Sequence, residues 1–415
     1  MPAFQPRPGS VISLDVRGGY ERLRVLPHPT APSFAFACEG GEGIVVQVER
    51  EASRTRYAFK VMKPAHQRAE LPSVCGHLRS FIGVPGLRAC ERYCVCEVDS
   101  PQVWATSPMF RYAMIIPWID GPTWLDVLLS RKPVSAEASL KTARSLANCM
   151  ALLESVGASH GDIASGNLIV APDTCEIELI DVEHMHAPGF PRPSVCVLGT
   201  PGYNRVNSTE DVWNSVSDRM AVGIMLSEML AWRERSIAAA SDGASYFAPD
   251  EIGDERCDRF RLMLQVLGSL SHQLPPLLTA VWRSRRRADC PPAHAWRAAI
   301  EGLGTLARAP TLTTSAQAHR GTIPQTHVLT TPPIVPPEVV GSVTPPPGIT
   351  PNAPQPTTPA TAVVAWTSIA PAVRAPDSPV AFWSGAAPIA PEAPNAVVRW
   401  GYAEPDPDPT NQEPP

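Results

Sequence analysis

Apolar and polar positions change their period partway along the chain. Between residues 34 and 62, "FAFACEGGEGIVVQVEREASRTRYAFKVM" sets β-branched and aromatic residues in alternation on either side of a glycine cluster. That pattern predicts strand, glycine turn, strand, polar hairpin and strand. "RYCVCEV" and "RYAMIIPWI" predict two more short strands. From about residue 123 the spacing becomes helical, beginning with a short helix over "TWLDVLLS". In "SAEASLKTARSLANCMALLESVG", Leu140, Ala143, Leu146, Ala147, Met150 and Leu153 form one stripe, and Ser135 stands ready as N-cap. "NLIV" and "IELID" predict a small hairpin, while "SDRMAVGIMLSEMLAW" is apolar nearly all round and predicts a buried central helix. Further helices are expected over "CDRFRLMLQVLGSL", "PPLLTAVWRS" and "AHAWRAAIEGL". Strands first and helices afterwards make an α+β arrangement.

Proline divides the chain. Half of the 48 prolines lie after residue 305, in runs such as "TPPIVPPEVV". Proline lacks the N–H and fixes φ, so such runs form neither helix interiors nor central strands. Residues 305–415 are therefore expected to be a disordered, partly polyproline-II tail. The expected folded domain covers 30–304, with a strand-rich lobe to about 116 and a helical lobe from about 117, preceded by a segment 1–29. With 35 basic and 40 acidic residues, nothing marks a nucleic-acid-binding surface. No stretch of about 18 apolar residues offers a membrane span. The first residues carry no apolar signal core, and Cys90, Cys94 and Cys96 read as reduced thiols on a strand rather than a metal or disulfide framework. The expected compartment is the cytoplasm.

The chemistry concentrates in "HGDIASGNLIV", residues 160–170, where Asp162 and Asn167 stand five apart before an apolar run. Gly, Asp, Ser and Asn are also turn formers, so this stretch alone does not distinguish a turn from a loop holding a metal–phosphate complex. The order of elements does more. "HGDIASGNLIV", then "LIDVE", "LGTPGY" and "SDRMAVGIMLSEML" resemble the C-lobe of the eukaryotic-type protein kinases, including bacterial Ser/Thr kinases. "GGEGIVV" followed by "YAFK" resembles their N-lobe. The resemblance spans about residues 35–302.

It implies a two-lobed protein-kinase-like fold and transfer of the ATP γ-phosphoryl group to a protein hydroxyl, with ATP and Mg²⁺ required. Lys60 would reach the α/β-phosphates, Asn167 and Asp181 would be the metal ligands, and Asp162 the base at the acceptor hydroxyl. Gly41 and Gly43 would approach phosphate, although Val46 fills the third glycine place. Ile116 would be the gatekeeper, and Pro117 through its carbonyl and Ile119 through its N–H would meet adenine; Trp118 and Trp124 read as packing residues. Asp218, Gly223 and Glu228 align with the buried helix, and Glu70 is the candidate partner for Lys60, although Pro72 follows it. Departures are as informative. Gly161 replaces the usual Arg, so activity should not depend on phosphate in segment 184–203. Ala164 replaces a Lys, "DVE" replaces D-F-G, and Asn207 stands where a structural Glu is expected. H-G-D-x-x-x-x-N with I-D-x-E is also similar to aminoglycoside and choline phosphotransferases, and a pseudokinase acting as a binding module stays open. His184 and His186 read as loop residues. The basic run at 284–288 reads as a solvated helix end.

In the tail, "AVVAW", "PVAFW" and "AVVRW" end at Trp366, Trp383 and Trp400, with equal steps of 17 residues. Such recurrence arises either from low-complexity drift in an Ala/Pro/Val-rich tail or from three copies of one binding motif, which on a flexible chain would suit a multivalent protein partner.

Overall fold

The computed structural model describes residues 4–16, 19–205 and 212–306. Asn207, the Trp366, Trp383 and Trp400 motifs and the Pro-rich tail after 306 lie outside the described residues. The fold is α+β: a curled antiparallel sheet followed by a helical region. Strands β1 (Val11–Val16), β2 (Gly19–Val25), β3 (Ala37–Glu39), β4 (Gly43–Arg50), β5 (Arg56–Met62), β6 (Tyr93–Cys94) and β7 (Met114–Pro117) run β1-β2-β4-β5-β7-β6 across the sheet. β4 shares one edge between two partners. Its first half pairs with β3 (Glu39 opposite Ile44) and its second half with β2 (Val25 opposite Val48), and β5 takes the other edge.

The segment 1–29 does not stand apart, contrary to the sequence-based expectation. Val11–Val16 pairs antiparallel with Gly19–Val25, and Leu14, Leu23 and Val25 are buried with Val46, Val48 and Phe59 in one apolar cluster. Their alternation is the period-2 signal of a half-buried sheet, so the extension was written locally; only its partner strand, β4, was not. The strand expected over "RYCVCEV" shortens to two residues, because Cys96 and Glu97 leave the sheet for the turn leading into α2.

The helices are α1 (Leu71–Leu78), α2 (Pro101–Thr106), α3 (Trp124–Ser130), α4 (Ala136–Ser155), α5 (Arg219–Ala231), α6 (Arg235–Ala240), α7 (Asp258–Leu270), α8 (Leu274–Arg283) and α9 (Ala293–Leu306), with the hairpin β8 (Leu168–Val170)–β9 (Ile177–Leu179) between α4 and α5. Ser135 caps α4, its side chain accepting from the Ala138 N–H; such a cap stabilises a helix by about 1 kcal/mol. α3 begins with a reciprocal capping box between Thr123 and Asp126. α5 is buried from Met220 through Ala231, as its lack of a polar face requires, and α4, α7, α8 and α9 pack around it. α1 starts despite Pro72, which occupies the first turn, where a missing N–H breaks no helical bond. The basic run is not wholly solvated: Arg287 is 2% exposed, its Nε on Asn204 Oδ1 and its Nη2 on the Leu198 carbonyl. None of the described helices is long and apolar enough to cross a membrane.

Candidate functional site

The loop joining α4 to β8 is held from the α5 side. The Asp218 carboxylate accepts from the backbone N–H of His160 (2.5 Å) and of Gly161 (2.9 Å). Burial pushes the Asp218 carboxyl above its ordinary range, opposed by His160 and by these two N–H groups. Gly161 turns the chain at φ +88°, and a Cβ there would sit 2.5 Å from the His184 carbonyl oxygen. Only glycine meets both demands. His160 bonds through Nε2 to the Ile180 carbonyl (2.8 Å), which leaves Nδ1 to accept from the Asp162 N–H (3.3 Å).

Asp162 follows directly. Its Oδ2 accepts from Asn167 Nδ2 (3.1 Å) and its Oδ1 from the Thr200 hydroxyl (3.0 Å). Asn167 Nδ2 also donates to the Asp162 carbonyl (2.9 Å), which turns the amide oxygen away as a free acceptor. The Ile180 N–H donates to the Asn167 carbonyl (3.0 Å), tying this loop to the residue before Asp181. Asp181 takes φ +58°, and its side chain is 44% exposed. The structure thus brings Asp162, Asn167 and Asp181 onto two bonded segments.

Lys60 reaches them from the sheet. It lies on β5, 3% exposed, with Nζ 3.0 Å from Asp181 Oδ1, 3.3 Å from Glu183 Oε1 and 3.9 Å from Glu42 Oε2. Burial alone would depress the Lys60 ammonium, but the Asp181, Glu183 and Glu42 carboxylates outweigh it and hold the pKa above the ordinary lysine range. Glu70 does not join them. It precedes α1 and accepts from the Ser194 hydroxyl at 2.8 Å, with Arg68 at 4.0 Å. The expected Glu70–Lys60 pair is therefore replaced: α1 carries no acidic residue and turns Val74, Cys75 and Leu78 inward.

Sequence reasoning missed three charged residues. Glu183 is fully buried between Lys60 and Arg92, whose Nη1 lies 2.9 Å from Glu183 Oε1. Burial would push the Glu183 carboxyl up, but Arg92 and Lys60 hold it well below the usual carboxylate range. Glu42 is the third. Its Oε1 lies 3.1 Å from His184 Nε2, so His184 is a buried partner rather than a free loop residue. His186 instead packs edge-on against Trp213. The signal for Glu183 was the departure itself, a carboxylate two places after Asp181. Arg92, next to Glu91 in a cysteine-rich stretch, carried none.

The glycine turn is short. Gly40 N–H donates to the Gly43 carbonyl (2.8 Å), leaving Gly41 and Glu42 as the two-residue tip. At Gly43 a Cβ would lie 2.4 Å from the Val61 carbonyl oxygen, whereas Gly41 faces nothing within 4 Å. Gly43 is required for packing on β5, and Gly41 leaves the tip bare. Pro117 ends β7 opposite Tyr57. The Trp118 N–H donates to the Arg56 carbonyl (3.2 Å), so alternation along an antiparallel ladder gives Pro117 a non-hydrogen-bonded place. Its missing N–H costs no ladder bond, and its carbonyl points away from β5. Ile119 is buried just beyond. Trp118 packs on Phe36, and Trp124 is buried against Trp232, both as packing residues. All ten cysteines are free. No protein-family model and no curated protein matches the chain.

Proposed function

We propose that the chain is an ATP-dependent phosphotransferase with a two-lobed protein-kinase-like fold, moving the γ-phosphoryl group to the hydroxyl of a protein acceptor. One observation carries the reading. A buried lysine from the sheet meets Asp181 at 3.0 Å, and Asp162 and Asn167, bonded to each other at 3.1 Å, stand on the segment tied to it. Phosphoryl transfer asks for this division of labour: a cation for phosphate charge, oxygen donors for a metal, and a carboxylate for the incoming hydroxyl.

In the proposed reaction the acceptor hydroxyl hydrogen-bonds to Asp162, which takes its proton as the new O–P bond forms. The bond from γ-phosphorus to the bridging oxygen breaks, and ADP leaves with that electron pair. Lys60 holds negative charge on the α/β-phosphates, and the Pro117 carbonyl and Ile119 N–H orient the adenine. Mg²⁺ would be held by Asp181, half-exposed, and by the Asn167 amide oxygen, and would neutralise phosphate charge; hard oxygen donors suit it. Asn167 and the Thr200 hydroxyl hold the Asp162 carboxylate in one orientation.

A nucleotide- or protein-binding role without turnover is favoured by Glu42, whose carboxylate stands 3.9 Å from Lys60 where phosphate would have to enter. Labelled ATP with Mg²⁺ and the full chain separates the readings. Transfer to protein acceptors that Asp162→Asn abolishes, by a factor of about 10²–10⁴, while nucleotide binding persists, is the expected result. Transfer confined to aminoglycosides or choline would make the acceptor a small molecule. Binding without transfer would leave a binding module.

A further inference from the structure

We propose that Glu183, beside Arg92, is the positioning residue for Lys60, and that α1 supplies no carboxylate to that lysine. The inference rests on the proposed function and names a residue for the same site.

Both close carboxylates on Lys60 come from one short stretch. Asp181 stands at 3.0 Å, and Glu183, in the turn Val182–His184, at 3.3 Å. Glu183 lies between two cations, with Arg92 at 2.9 Å on its far side. All three side chains are out of solvent: Glu183 and Arg92 fully, Lys60 to within 4%. Arg92 is fixed in turn by its Nε donating to the Ala89 carbonyl at 2.7 Å. A chain of close contacts therefore runs from the Ala89 backbone through Arg92 and Glu183 to the Lys60 ammonium; the two links at Glu183 are charge contacts, since neither of its oxygens is hydrogen-bonded.

Stability does not account for this trio. Taking three charges out of water is costly, and buried ion triads are often replaced by apolar side chains with no loss of stability. Holding a flexible four-carbon cation in one place is a use that an apolar cluster cannot serve. α1 cannot serve it either. Its sequence, "LPSVCGHL", has no carboxylate, and Glu70 before it is committed to Ser194. Because Glu183 is two residues from Asp181 in the chain, the lysine and the metal-binding carboxylate are registered to each other by one turn. α1 packs on that turn but contributes no charge to it.

The test uses the full chain, with ATP and Mg²⁺ as ligand. Glu183→Gln should reduce kcat/KM for ATP by about ten- to a hundredfold, the scale of a misplacement of about 1 Å, with weaker nucleotide binding. Glu70→Gln should leave both near wild type. A second readout needs no turnover: ATP with Mg²⁺ should protect Lys60 from amine modification in the wild type and in Glu70→Gln, and protect it less in Glu183→Gln. Glu183→Asp should recover part of both effects. If Glu183→Gln does not fold, the double variant Glu183→Leu with Arg92→Met removes the charges together; folded protein with weakened ATP binding supports the role. Wild-type ATP binding and unchanged Lys60 protection in either Glu183 variant overturn it, as does an equal effect of Glu70→Gln. If the wild type binds ATP but transfers nothing, the proposed reaction fails while the binding and protection comparisons still decide the role of Glu183. A wild type that binds no nucleotide overturns both.

Discussion

Glu228 offers a quantitative check on the helical region. Its carboxyl is fully buried on α5 and accepts three hydrogen bonds: from Trp124 Nε1 at 2.5 Å, the Tyr203 hydroxyl at 3.1 Å and the Tyr246 N–H at 2.7 Å. Burial pushes its pKa from 4.5 to about 7, against the pull of those donors. Below pH 4.5 the carboxyl is protonated in both the folded and the open chain and contributes no pH dependence. Between 4.5 and about 7 the open chain releases a proton that the folded chain retains, so stability falls as pH rises. Above about 7 the loss is complete, at about 3 kcal/mol. Glu228→Gln cannot titrate, and its one fixed acceptor gives a cost that does not vary with pH. Urea unfolding of wild type and variant from pH 4 to 8, at constant ionic strength, isolates the carboxyl, since groups distant from it cancel in the difference. The wild type should lose about 3 kcal/mol relative to the variant across that window. Parallel curves would refute the argument. Tyr203 follows Thr200, which donates to Asp162, so loosening this carboxyl should also reduce transfer.

Glu42→Ala removes a carboxylate 3.9 Å from Lys60; nucleotide affinity at fixed Mg²⁺ should rise roughly fivefold, about 1 kcal/mol for a partly exposed charge, and unchanged or weaker binding by calorimetry would count against phosphate entry at Lys60. Gly161→Ala forces a left-handed backbone on a residue with a Cβ, at about 1–2 kcal/mol, and drives that carbon to 2.5 Å from the His184 carbonyl; a larger loss in urea unfolding is expected, and a neutral substitution would show that the turn relaxes freely. Phosphatase treatment should leave transfer unchanged, because Gly161 supplies no cation for a phosphorylated segment and Ser194 already donates to Glu70; a large loss would mean another cation takes that role.

Much of the architecture is written in short-range order. α4 and its Ser135 cap, the β8–β9 hairpin and the buried α5 follow from periods of 3.6 and 2 and from capping chemistry, all of which act within a few residues. The spacing of Asp162 and Asn167 likewise specified a loop whose groups bond one another, because five residues are enough to close it. What the chain did not disclose alone lies in contacts between distant segments. Glu70 was the acidic residue nearest Lys60 in sequence within the stretch that follows it, yet Asp181 and Glu183, 121 and 123 residues away, are the ones beside it. A buried cation takes the carboxylate that packing delivers, and sequence proximity has no bearing on that. Arg92 follows Glu91 directly in the chain, and only the fold reveals that Glu183 compensates it. The β1–β2 pair alternates as paired strands should, but its place on β4 depends on β3 leaving half of that edge open. Periodicity and caps are properties of a segment by itself. Ion pairing in the interior and the sharing of a sheet edge are properties of what the rest of the chain brings to it, and the tertiary structure alone decides them.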